Sequence, residues 1–197
     1  MAFSYTLDDE KHEYLLDGVP LPSVTGILGD IVSKAYYPAG PYKLRGSRVH
    51  EATVLYDQGK LDQYEVGDTI KGYVESWSKL YLTHPFMWTD FEKSGYDKKL
   101  LVAGTTDRIG KYDIDYNAIA DIKTGDPEPE AELQTAAYAL LNFPDSAAKV
   151  RRFIVRLYKD GAEPKVIEHK DPYDLQAWPG VVQLYKWRKR RSARKVA

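Results

Sequence analysis

Residues 102–125, VAGTTDRIGKYDIDYNAIADIKTG, set two carboxylates and an ammonium into short apolar runs that otherwise read as strands: Asp107, Asp121 and Lys123. Gly104, three residues before Asp107, allows a bend or the close approach of another group. Asp121 and Lys123 are two apart, so in a strand they leave from one face with Ile122 on the other. Two carboxylates on neighbouring strands do not share a buried face at neutral pH without a cation between them. Lys123 brings one positive charge, and a divalent metal would bring more. A hard cation such as Mg²⁺ takes oxygen ligands and keeps several waters, which leaves room for a phosphate oxygen and an attacking water. The ammonium can then hold that water and offset charge developing on phosphorus. The competing interpretation of the same spacing is a surface salt bridge among Asp107, Arg108, Asp121 and Lys123 on an exposed sheet face.

The surrounding patterns say what such a strand pair packs against. FSYTL and HEYLLDG, on either side of an acidic turn, predict a small hairpin, and Ser23 is a good N-cap for a short helix ending near Gly29. PYKLRGSRVHEATVLYDQG and VGDTIKGYVESWSKLYLTH place apolar residues at helical spacing, and His50 lies on the first of these two helices. The period then changes: FMWTDFEKSGY, KLLVAGTTDRIGKYDI and NAIADIKTG predict an antiparallel meander. A helix over PEPEAELQTAAYALLNF, two strands around Asp160-Gly161 and a terminal helix follow, with a Pro-Gly pair that threatens to split the last. This order predicts an α+β fold, a central mixed sheet flanked by helices, in one domain over residues 1–197. Gln134 and Tyr138, at i and i+4 on the helix after Lys123, can both lean over one end of the sheet. His50, beside Arg45, Arg48 and Glu51, could supply an imidazole to the same place.

Composition narrows the chemistry. With no cysteine, thiolate zinc sites, a cysteine nucleophile and a cysteine-ligated iron–sulfur cluster are excluded, so a metal must sit on oxygen and imidazole. No apolar run is long enough to cross a membrane, and the N-terminus lacks a signal-peptide pattern, which leads us to expect a soluble, intracellular protein. Charge is unevenly spread. The last twelve residues, KWRKRRSARKVA, hold seven Lys or Arg and no acid, so the net −1 of the chain is −8 for the 185 residues before them. A basic tail at 186–197 on an acidic body points to a polyanionic partner, with Lys186, Arg188, Lys189, Arg190 and Arg191 as the contacts and Arg45, Arg48, Arg151 and Arg152 as further basic candidates.

RGSRVHEA, VAGTTDRIG, IADIKTG and LQTAAYA, in that order over about residues 46 to 138, resemble the four motifs of the PD-(D/E)XK nuclease superfamily. The RecB-like exonuclease branch, which includes phage proteins, is the nearest in pattern, and PSVTGIL upstream is also similar to phage members. The resemblance implies a restriction-endonuclease-like core and a site holding one or two Mg²⁺ or Mn²⁺ ions. His50, Asp107, Asp121 and the Ile122 carbonyl would be metal ligands, Lys123 the catalytic lysine, and Gln134 and Tyr138 would line the site. Glu92 stands where many relatives carry an acid and is a further candidate, either as a supporting group or for a second metal. Relatives often place a Glu four residues after the His, where this chain has Val54, with Glu51 next to the His instead. Relatives with an iron–sulfur cluster use four cysteines, which this chain lacks.

The function expected from this resemblance is metal-dependent DNA exonuclease activity, on single strands or duplex ends, in phage or prophage recombination, repair or degradation. It places the protein in the cytoplasm of a bacterial or phage-infected host cell, with a recombination partner protein or a homo-oligomer as the assembly. Two alternatives stay open at this level: a structure-specific or restriction-type endonuclease, and a DNA-binding module that keeps the fold without turnover.

Overall fold

A computed structural model of the chain describes residues 4–8, 13–32 and 41–196. The acidic turn expected between the first two strands lies outside the described residues, as does Ala197. Strands β1 (Tyr5–Asp8), β2 (Glu13–Leu16) and β3 (Val19–Leu21) form a small antiparallel sheet. Asp17 and Gly18 both take positive φ, 50° and 76°, the conformation a two-residue hairpin turn demands, and so fold β3 back onto β2. The predicted hairpin is therefore one strand larger. Pro20 lies in β3, an edge strand, where a missing N–H is tolerated.

Helix α1 (Val24–Ile31) starts at Ser23, whose Oγ accepts from the Gly26 N–H at 3.0 Å. It runs past the expected stop at Gly29, because Ile27 and Leu28 are buried and carry the helix over the glycine. Helices α2 (Pro41–Asp57) and α3 (Asp68–Thr83) follow, the first stopping just before Gly59 with its φ of 67°. The meander is as predicted: β4 (Phe86–Asp97), β5 (Val102–Tyr112) and β6 (Tyr116–Lys123) pair antiparallel. Helix α4 (Ala131–Asn142) then crosses over, so β7 (Arg151–Arg156) lies parallel to β6, and β8 (Lys165–His169) turns back at the far edge. The mixed sheet has the order β4-β5-β6-β7-β8.

Side-chain alternation along β6 sorts the core into two layers. Ala118, Ala120 and Ile122 face a cluster with Val49, Trp77, Leu80 and Phe153, under α2 and α3. Ile119 faces the other layer with Ile27, Tyr138, Trp178 and Val182. Asp121 shares the parity of Ile119, which aims its carboxylate toward α4.

The expected terminal helix, α5 (Tyr173–Val196), is present and continuous through Pro179. An interior proline costs a helix about 3 kcal/mol. The flanking Trp178 and Val182 are fully buried, and side chains of this kind contribute about 1.5–3 kcal/mol each, enough to offset it. The basic tail is thus the last part of a docked helix. Lys186 Nζ donates to the Leu100 carbonyl at 2.6 Å, Arg188 to the Asp30 carbonyl at 2.7 Å, and Lys189 pairs with the Asp30 carboxylate at 3.0 Å. No described helix is long and apolar enough to cross a membrane.

Candidate metal centre

The site forms where the sheet forks. The β5–β6 ladder ends at Arg108↔Ala120, and one residue further Asp107 Oδ2 takes the Ile122 N–H at 2.7 Å in place of a backbone carbonyl. On the other side of β5 the register passes from Phe91↔Arg108 to Lys93↔Thr106 with no rung at Glu92 and Asp107. Glu92 itself is held at φ 44°, a left-handed conformation that costs a non-glycine residue free energy and concentrates at functional sites. That strain turns its carboxylate toward α2. Gly104 also has a visible purpose: a Cβ there would lie 3.0 Å from the Tyr138 ring and 3.1 Å from Val24.

Into this fork α2 delivers His50. Its Nδ1 lies 3.2 Å from Glu92 Oε1 and 3.7 Å from Asp107 Oδ2, and its Nε2 lies 3.2 Å from the Ile122 carbonyl. One ligand atom from each of His50, Glu92 and Asp107 falls within 4.8 Å of the others. Beside them Asp121 Oδ2 pairs with Lys123 Nζ at 2.9 Å, and Asp121 Oδ1 accepts from Gln134 Nε2 at 2.8 Å. The Gln134 amide also accepts from Lys123 Nζ at 3.1 Å and donates to Tyr138 Oη at 3.1 Å. The structure therefore brings together His50, Glu92, Asp107, Asp121, the Ile122 carbonyl, Lys123, Gln134 and Tyr138.

Asp107, Arg108 and Asp121 are only 6%, 0% and 3% exposed, so the surface salt bridge is overturned. Burial pushes the Asp107 and Asp121 carboxyls above the usual range; Glu92 raises Asp107 further and Asp107 raises Asp121, while His50 and Lys123 act against both shifts. Burial would lower the His50 imidazole, but Asp107, Glu92 and Asp121 outweigh it and raise it to about 9. Desolvation likewise opposes the charge on Lys123, and Asp121 more than restores it. The Tyr138 hydroxyl is held neutral by burial and by the two aspartates.

A pH dependence follows. The aspartates bind protons more tightly folded than unfolded, so they lower stability as pH rises above the ordinary carboxylate value. The stabilisation from protonated His50 is complete below about 6.5 and is lost as pH rises through about 9. Both signs agree. In EDTA the melting temperature should fall from pH 6 to pH 9, and His50→Gln should flatten that decline. Mn²⁺, which needs the deprotonated ligands, should raise the melting temperature more at pH 8 than at pH 6. A metal effect independent of pH in thermal melts would contradict this assignment.

The other sequence candidates are placed as follows. Glu51 is exposed and not one of the three clustered ligand residues; with Gly46, Ser47, Val54 and Leu55 it lines a groove of about 610 Å³ that also takes in His50 and Glu92. Arg45 reaches Thr124 Oγ1 at 3.5 Å, next to Lys123, and Arg48 is exposed on the same helix. Arg152 is buried and pairs with Asp174 at 2.9 Å, and Arg151 is bidentate to Glu168 at 2.7 and 2.9 Å. Both are corrected from basic-surface candidates to structural cations. They line a larger hollow of about 760 Å³ at the opposite end of β6 and β7, with no cluster of ligand atoms in it among the described residues.

No family model matches the chain, and no curated protein matches it by sequence. Solved structures do. A crystal structure of a protein from Eubacterium rectale, named provisionally as an exonuclease, superposes with a TM-score of 0.53 at 16% identity, over 86% of this chain and 73% of that one. The fold is nuclease-like. A second structure, of SSO0001, matches at a TM-score of 0.40 and 16% identity over 83% of this chain and 82% of that one, too distant to bear on the fold. On the nuclease-like fold, the fork lies at the C-terminal end of β6, the central strand of the sheet.

Proposed function

We propose that the chain is a divalent-cation-dependent deoxyribonuclease of the PD-(D/E)XK type, an exonuclease of the RecB-like kind acting in phage or prophage DNA recombination, repair or degradation. The observation that carries this is the convergence of His50, Glu92 and Asp107 on one point beside the Asp121–Lys123 pair. The residues fit such an ion. Ligands at right angles with bonds of about 2.1 Å lie about 3.0 Å apart, and His50 Nδ1 lies 3.2 Å from Glu92 Oε1 and 3.7 Å from Asp107 Oδ2. Asp121 Oδ2 is buried with an ion pair but no aligned hydrogen bond, so it has lone pairs to offer. The oxygen ligands suit Mg²⁺ or Mn²⁺, and the imidazole is taken more readily by Mn²⁺ of the two.

When bound, such an ion polarises a phosphate oxygen and activates water. The chain's own residues do the rest. His50 must release its proton before it can ligate, and Asp107 and Glu92 provide the compensating charge. Lys123, whose side chain is 21% exposed, keeps its ammonium beside the Asp121 carboxylate, where it can hold the attacking water and offset the negative charge that grows on phosphorus. Gln134 fixes that ammonium and Asp121 with one amide, and neutral Tyr138 braces Gln134 from behind.

Digestion of end-labelled linear and circular DNA, single- and double-stranded, in Mg²⁺, Mn²⁺ or EDTA tests the proposal. Metal-dependent loss of label from linear DNA alone is expected. Cutting of circles would favour an endonuclease, and no cleavage with retained binding would favour a module without turnover.

Two cations that face solvent near the end of α5 give a separate expectation. Arg190→Gln with Arg191→Gln leaves the docking contacts of Arg188 and Lys189 intact. It should weaken DNA binding and reduce the log–log salt slope by roughly 1.4–1.8, two phosphate contacts at about 0.7–0.9 each. An unchanged affinity and slope would leave the helix end without a role in DNA binding.

A further inference from the structure

We propose that Arg108 is the positioning residue of the metal centre, its guanidinium holding three of the candidate ligand residues, His50, Glu92 and Asp107, in register. This rests on the metal assignment above. Arg108 is fully buried, its guanidinium 5.2 Å from the ring centres of both Trp77 and Phe91. Nη1 donates to the Asp107 carbonyl at 2.8 Å, the group left over where the β4–β5 rung is missing, and lies 3.6 Å from Glu92 Oε1. Nη2 donates to Thr53 Oγ1 at 2.8 Å, and that hydroxyl donates onward to the His50 carbonyl at 2.8 Å. One planar group thus reaches the backbone of Asp107, the carboxylate of Glu92 and, through one hydroxyl, the backbone of His50.

The third nitrogen anchors the group. Nε gives a 2.8 Å bond to Asp57 Oδ2, and the other oxygen of Asp57 accepts from Trp77 Nε1 at 2.7 Å and from the Tyr81 hydroxyl. His50, Thr53 and Asp57 lie at i, i+3 and i+7 on α2, so Arg108 contacts the helix face that carries the imidazole. A buried ion pair needed only for packing would be complete with Asp57. The polar contacts beyond Asp57 all lead to ligand residues, and the Glu92 carboxylate that Nη1 faces comes from a backbone held at φ 44°.

Arg108→Lys separates the two roles. Lysine keeps the charge beside Asp57 but has no rigid fork to reach Thr53, Asp107 and Glu92 together. Thr53→Val removes only the hydroxyl bridge to His50. With Mn²⁺ alone as the probe, isothermal titration should show Arg108→Lys binding at least about 10-fold more weakly than wild type, and Thr53→Val binding several-fold more weakly. A merely structural role would lower the melting temperature in EDTA and leave Mn²⁺ affinity within about twofold, which would overturn the proposal. Should Arg108→Lys not fold, Thr53→Val decides: unchanged Mn²⁺ affinity overturns it. Absence of Mn²⁺ binding by the wild-type chain would overturn the metal assignment, and the role of Arg108 with it.

Discussion

Asp107→Asn and Asp121→Asn should each abolish DNA cleavage in Mg²⁺ or Mn²⁺ while raising the melting temperature of the metal-free protein. Loss of a contact that merely supports a ligand costs about 10–100-fold in activity or affinity, and loss of a charged ligand should cost more. The stability change runs the other way because both carboxyls are held above their usual range, with burial as the leading cause. An amide fills the same space without the charge. At position 107 the amide oxygen could still accept the Ile122 N–H that Asp107 accepts now, and at position 121 it could still accept from Gln134. Each kcal/mol of repulsion relieved is worth about 2–4 °C for a chain of this size. Cleavage assays paired with melts in EDTA read both effects. Near wild-type cleavage by either variant would place the chemistry elsewhere, and a large drop in melting temperature would mean these carboxylates serve folding.

Lys123→Ala separates binding from chemistry. The ammonium is not among the groups that converge as ligands; it stands beside them, tied to Asp121 and Gln134 on a side chain that is partly exposed. Its charge counts most when negative charge grows on phosphorus, so its removal should fall on turnover, by about 10²–10³-fold. Mn²⁺ affinity should stay within several-fold, because the ion itself compensates Asp121 once the lysine is gone. Titration of Mn²⁺ binding and single-turnover cleavage on the same preparation make the comparison. Equal losses in the two would assign Lys123 to holding the ion and remove it from the reaction.

What could be read from the chain beforehand was whatever a local period encodes. Alternation in NAIADIK put Asp121 and Lys123 on one face, the i, i+4 spacing put Gln134 and Tyr138 over it, and Ser23 announced its helix. Partner choice over long distances has no such signal. Asp57 and Arg108 are 51 residues apart, and nothing near either indicates that they meet under Trp77. The one available hint was an arginine in the middle of a strand run otherwise bound for the core. Glu92 was named as a candidate, but its left-handed backbone, at a position in β4 with no rung to β5, has no local sequence signal. The terminal helix was legible from its local period, but its docking was not: whether Pro179 interrupts it and what its cations touch depend on Trp178, Val182 and Asp30, contacts distant in sequence.

The claim on which the rest depends is that the fork between β5 and β6 is built to hold a divalent cation. Anomalous diffraction at the manganese edge, from crystals of the wild-type protein soaked in Mn²⁺, tests it most directly. We expect a peak at coordinating distance, about 2.1 Å, from His50 and Asp107, with Glu92, Asp121 or the Ile122 carbonyl completing the set and Lys123 Nζ beyond contact. A fork without anomalous density at saturating Mn²⁺, with His50 still bonded to Glu92 and to the Ile122 carbonyl, would contradict the account.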